Sequence, residues 1–219
     1  LGPIALSRQA ARRMNATRLL GLLGIPLALA GSAPNAPAAT PAAGAGAVPA
    51  PPAEHPRLYL RAPDVAKLPQ RLAHPVLAPV VERLARLADR SPQFRAEWQA
   101  LQYLVQPEAA RGRPLIAETL RLLQRCELPD RQDACRVTGR MMVTGAIVYD
   151  WLYPLLTDAQ KRDFKRELVR LAQTLECGYP PVRQGSVTGH SSEAMIMRDM
   201  LSAGIAMFDE DPEMYHHAA

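Results

Sequence analysis

The chain has 219 residues, 48% of them hydrophobic but only 5% aromatic, and its 26 Lys and Arg outnumber 21 Asp and Glu for a formal net charge of +5. That length suffices for one sizeable core, and the near absence of β-branched and aromatic runs excludes a β-rich fold in favour of an all-α one. The positive balance suits a polyanion as partner, whether acidic polysaccharide, nucleic acid or membrane surface, although solvated arginine-rich helix faces carry the same charge.

Residues 1–32 read as an N-terminal extension and signal peptide. Arg12, Arg13 and Arg18 form a basic stretch, Leu19–Ala30 an apolar run, and Ala28-Leu29-Ala30 an A-x-A cleavage site. The run is too short to span a bilayer, which takes about 20 residues. Gly21, Gly24 and Pro26 argue against a buried core helix, and Arg12-Arg13 is too weak a match for twin-arginine export. Residues 33–53 are dominated by Ala, Pro and Gly with no apolar period, so they are expected to be a disordered linker. The folded domain is expected over 54–219.

Within it, His55–Leu60 reads as extended, and Pro63-Asp64 starts a short helix ending near Leu72. A second helix over 75–88 carries the stripe Val76, Leu77, Val80, Val81, Leu84 and Leu87. A third follows Ser91-Pro92, with Phe94, Trp98 and Leu101 on one face. A fourth starts at Pro114 and buries Leu115, Ile116, Leu120 and Leu123. The fifth runs from about 133 to 155 along Val137, Met141, Thr144, Val148, Trp151 and Leu152.

Thr157-Asp158-Ala159-Gln160 is a capping box opening a sixth helix, with Phe164, Leu168, Leu171 and Leu175 inward and a stop near Gly178. A seventh spans about 190–207, and Asp211-Pro212 begins an element that these residues do not finish. Helical hairpins without sequence repeats exclude tetratricopeptide and ankyrin arrays. About seven helices would fill only part of an α/α toroid, and a raw apolar edge is expected near Ala219.

Export would permit disulfides. Cys126 and Cys135 flank a polar loop and could bridge two helix ends, leaving Cys177 over, or all three could be unpaired. No Cys/His spacing suggests a metal. His216 and His217 are adjacent and do not face one another on a helix.

The segment from Gly185 to Ala194 leads a polar loop into an otherwise apolar helix. His190 and Glu193 are three apart and would share a face on its first turn, where the helix dipole disfavours imidazolium and suits a basic, neutral histidine. The plainer reading is an exposed histidine with a glutamate stabilising a helix start. Met195, Met197, Met200 and Met207 read as core filler, and Trp151 and Tyr153 as buried packing or the lining of a sugar groove.

Three stretches together resemble the heparinase II/III family of polysaccharide lyases: His55–Leu60, Tyr149–Tyr153 followed by Leu156–Gln160, and Gly189–Glu193 leading to Ser202–Tyr215. The resemblance implies an N-terminal α/α toroid followed by β-sheet domains. It also implies β-eliminative cleavage of uronate-containing glycans of the heparin or heparan sulfate kind. By position, His190 matches the family's toroid histidine, a candidate base or carboxylate-side partner, and Glu193 the glutamate that contacts the uronate carboxyl.

The family's catalytic tyrosine, a further histidine and a structural zinc of some members lie downstream of the matched region. The 219 residues therefore read as an incomplete toroid that requires no cofactor and is inactive alone. The partner implied is acidic polysaccharide rather than nucleic acid, and the location periplasmic or secreted, with no stable membrane insertion once the signal is cleaved. A helical glycan-binding or scaffold module is the alternative. A glycoside hydrolase would need a second, bond-flanking acid, for which no convincing candidate exists.

Overall fold

The computed structural model describes residues 48–127, 134–173 and 195–219, with side chains from Thr138 and from Arg198 onward in the last two stretches. The proposed signal and most of the linker lie outside the described residues, as do His190, Glu193, Cys177 and the side chain of Cys135. The described residues are helical and contain no strand, so the all-α expectation holds. None of their helices is long and apolar enough to cross a membrane.

The lead-in segment before the first helix has no regular structure: it carries a cis His55-Pro56 peptide and turns at Tyr59, where the Leu60 amide donates to the Leu58 carbonyl at 2.8 Å, so it is not the extended stretch expected; α1 (Ala62–Val65) and α2 (Leu68–Leu72) follow. One helix was expected here. Two form because Pro69 has no N–H to bond the carbonyl of Val65, so a continuous helix would lose a rung. A 3-10 turn (Pro75–Leu77) leads into α3 (Ala78–Arg90), which Ser91 alone joins to α4 (Pro92–Val105). Two helices of this length that pack on each other across one residue form an αα-hairpin.

Helix α5 (Ala109–Gln124) begins five residues before the expected start at Pro114, which lies inside it. The Glu108 carbonyl accepts from the amides of Arg111 and Gly112, closing the first turn. Gly112 lets this turn pack closely on Leu155, Tyr103 and Leu152, where a Cβ would displace the end of the Leu155 side chain.

Helix α6 (Ala134–Trp151) is the hub, packing on α4, α5, α7 (Asp158–Ala172) and α8 (Leu201–Ala206), with every residue from Met142 to Trp151 buried. A helix buried on all sides is apolar all round, which explains why its face looked continuous in sequence. It stops at Trp151, short of the expected 155. Pro154 cannot donate to Asp150, and the chain tightens into a 3-10 turn over Tyr153–Leu155. The Thr157/Gln160 capping box forms as expected.

Of the seventh helix, the described part is a π-helical turn (Met195–Met200) running into α8, and then α9 (Pro212–Ala218). Met200 and Met207 are buried core, as expected of filler. The raw edge expected near Ala219 is not found: Met214, Tyr215 and Ala218 are buried against α8, and the Tyr215 hydroxyl donates to the Pro49 carbonyl. The thinly covered apolar stripe instead runs from the 3-10 turn into α3, where Leu77, Val80, Val81, Leu84 and Leu87 are half-buried and Val76 is 74% exposed. Cys126 is a free thiol, and the side chain of Cys135 lies outside the described residues.

A Cβ at Gly204 would stand 2.6 Å from the backbone nitrogen of Tyr215, where no soft side chain can yield. Gly204→Ala is therefore expected to cost about 1–3 kcal/mol by forcing α8 and α9 apart. Thr157→Ala should cost about 1 kcal/mol by removing the cap. Urea denaturation of both variants checks the ranking.

Candidate functional site

Three segments far apart in sequence meet at one end of α6, and they belong to the stretches that carry the family resemblance. At the centre is Asp150, a lone acid in an apolar run, fully buried. Its carboxylate accepts from the ring Nδ1 of His55 at 2.6 Å, the amide of Arg57 at 3.0 Å and the amide of Leu58 at 2.9 Å. Trp151 Nε1, next along α6, donates to the Leu58 carbonyl at 3.0 Å. A segment with no regular structure thus has its polar backbone satisfied by two consecutive side chains of the hub.

The third segment closes the cluster from above. Asp209 lies 3.3 Å from His55 Nε2 and 3.1 Å from Arg57 Nη2, and Arg57 also donates to the carbonyls of Pro52 and Ala206. Each ring nitrogen of His55 faces a carboxylate oxygen, so both bonds form together only when both nitrogens carry hydrogen. The His55 ring stacks on Tyr153 with centroids 3.7 Å apart, and the Lys161 ammonium sits 3.8 Å from the Tyr153 ring centre on the other contact. Tyr153 also donates to Glu210 at 3.0 Å.

Partial burial tends to raise the Asp209 carboxyl, but the bond and charge of Arg57, then those of His55, outweigh it and hold the group below the usual carboxylate range. Burial, followed by the neighbouring Glu210, pushes the Tyr149 phenol far up. Trp151 is buried and Tyr153 packs between His55 and Lys161, so these aromatics serve the interior rather than an open groove.

A second polar cluster lies between α4, α6 and the π turn. Arg140 donates to both oxygens of Glu97, at 2.9 and 3.1 Å, and Thr144 donates to Glu97 at 2.7 Å. The Arg140 guanidinium lies 5.1 Å from the Phe94 ring centre. Arg198 engages Asp199 through Nε and Nη2, and the Asp199 carboxylate rests on Gly139, where α6 offers no side chain. Burial raises both carboxyls above the ordinary range, against the opposing pull of Arg140 on Glu97 and of Arg198 on Asp199.

The expected pair His190 and Glu193 lies outside the described residues. Among the described residues no set of three or more His, Cys, Asp or Glu side chains could hold a metal, and His216 and His217 take no part in one. Sequence reading passed over Asp150, Arg198 and Asp199. Their signal was a charge inside an apolar helical run, which is affordable only with a buried partner. No family model matches the chain, and no curated protein matches it.

Two variants test this geometry. Asp150→Asn keeps the shape but leaves His55 and two amides poorly matched, and a loss of about 3–5 kcal/mol is expected, as when one partner of a buried pair is removed. For Asp209, a lowered carboxyl contributes stability that is present above the ordinary carboxylate range and lost as pH falls through its folded value. Asp209→Asn should therefore destabilise the protein near neutral pH and scarcely at all in acid, read as urea midpoints at the two extremes. An equal loss at both would contradict the pairing.

Proposed function

We propose that this chain is the N-terminal helical part of a polysaccharide lyase resembling the heparinase II/III family, acting on uronate-containing acidic polysaccharide outside the cytoplasm, with its helices forming part of an α/α toroid. The observation that carries the reading is the convergence around Asp150. His55–Leu58, Asp150–Tyr153 and Asp209–Glu210 come from segments that resemble the family only as a set, and here they interlock residue by residue. Chance likeness in three short motifs gives no reason for them to share one hydrogen-bonded cluster.

The chemistry of the reading is β-elimination. A base removes the proton at C5 of a uronate whose carboxyl has been neutralised, the bond from C4 to the departing oxygen breaks, a C4–C5 double bond forms, and an acid protonates the oxygen. His190 serves as base or carboxylate-side partner and Glu193 contacts the carboxyl. The net charge of +5 favours the approach of such a polymer. The family's tyrosine and later histidine are not among these residues, so binding is expected from the 219 residues and turnover from a protein that also carries those positions.

The test is ultraviolet absorbance of unsaturated uronate. A protein carrying the complete set is expected to generate it from at least one uronate polysaccharide, and His190→Ala to abolish it without moving the thermal midpoint. Binding without product in every case would make the chain a helical glycan-binding module instead.

A further inference from the structure

The link between α8 and α9 carries the consecutive acids Asp209, Glu210 and Asp211, and each is tied to a different part of the molecule. Glu210 accepts from the Tyr153 hydroxyl at 3.0 Å and lies 3.3 Å from the Lys161 ammonium. Asp211 lies 3.5 Å from Lys165 on α7 and accepts from the amide of Glu213 at 3.1 Å. Phenol, ammonium and backbone amide all keep their hydrogens through the neutral range. Of the three acids, Asp209 is the one with a histidine as partner, beside Arg57.

That histidine, His55, lies between the link and the hub. Its side chain is 6% exposed, with Asp150 at 2.6 Å from Nδ1, Asp209 at 3.3 Å from Nε2 and the Tyr153 ring stacked on it. Both carboxyls act as acceptors. Asp150 already receives the amides of Arg57 and Leu58. Partial burial works against the ionised form of Asp209, but Arg57 and then His55 hold its carboxyl below the usual range.

Two acceptors at opposite ends of one ring need two hydrogens, and a neutral imidazole has one. The short contact lets the shared proton sit on Nδ1 or on Asp150, yet the count is the same: the bond to Asp209 requires one proton more than the bond to Asp150 alone. When one proton is lost, a lone pair must face a carboxylate. That falls at Nε2, because Asp150 is fully buried and needs its donor, whereas Asp209 is 42% exposed and can turn to water and to Arg57. The charges around the ring are Asp150 on α6, Asp209 on the link, Arg57 on its own segment, and Lys161 of α7 beyond Tyr153, balanced by Glu210. Among these residue types, histidine is the one whose charge ordinarily changes between about pH 5 and 8.

We infer that His55 is a proton-operated latch: with both ring nitrogens protonated it fastens the α8–α9 link to the lead-in segment and the hub, and loss of the Nε2 proton releases Asp209 while the bond to Asp150 stays. In the released form Arg57 still ties Asp209 to the lead-in segment. That segment remains pinned on Asp150, so the opening is confined to the link. A bond that only the protonated ring makes contributes stability at low pH and loses it as pH rises through the ring's deprotonation.

Urea unfolding of the full chain at about pH 5.5 and about pH 8.5 tests this. His55→Asn keeps an amide where Nδ1 donates to Asp150 and places nothing at Nε2, and Asp209→Asn removes the acceptor's charge. At the lower pH, Asp209→Asn is expected to reduce the folding constant about fivefold more in the otherwise unmodified chain than in the His55→Asn background. At the higher pH the two reductions should match, because the tie to Arg57 is all that either loses. A difference between backgrounds that does not shrink from the lower pH to the higher, or that is absent at both, overturns the latch. If His55→Asn does not fold, the ring-nitrogen NMR shifts of His55 in the unmodified chain decide: hydrogens on both nitrogens at the lower pH and on Nδ1 alone at the higher are expected, and a ring that does not lose the Nε2 hydrogen between them overturns it.

Discussion

The described structure depends on one buried carboxylate. Asp150 sits at the end of a helix surrounded on all sides, where an unpaired acid would be intolerable, and it is satisfied by His55 and by two backbone amides of a segment with no regular structure. The bond set works in both directions. The acid requires those donors, and the lead-in segment requires that acceptor, because its amides have no helix or sheet to receive them. From that pin the rest follows: Leu58 and Leu60 enter the core, Arg57 reaches over to Ala206 and Asp209, and Tyr59 is turned outward in a conformation that a side chain rarely adopts.

How much of this was legible in the sequence varied with the range of the forces concerned. The capping box at Thr157 and Gln160 involves neighbours only, and it formed as read. The hub helix was plain from its apolar length. Proline misled in two opposite ways. Pro69 and Pro154 broke helices read as continuous, which local sterics explain, whereas Pro114 was taken as a start and lies within a helix whose Gly112 packs closely on Leu152 and Leu155. That contact comes from residues 40 positions away in the chain and leaves no local mark. The covered chain end has the same origin, since Met214, Tyr215 and Ala218 are buried by α8 and Tyr215 is further tied to Pro49.

The candidate site divides similarly. The resemblance drew attention to His190 and Glu193, which lie outside the described residues, while the motifs quoted beside them turn out to be the ones that touch. What the motifs build, among the described residues, is a clamp rather than a reaction centre: Asp150 and Trp151 hold backbone, and Tyr153 packs between an imidazole and an ammonium. Nearby, Tyr59, Arg198, Leu201 and Ile205 are among the residues lining a shallow cleft.

The claim on which everything else rests is that the lead-in segment is integral to the helical body through Asp150. Hydrogen exchange at the amides of Arg57 and Leu58 measures it directly. Both are expected to exchange only by global opening, with the same denaturant dependence as the amides in the middle of α6. Exchange at the rate of a fraying terminus, while α6 remains protected, would contradict the account.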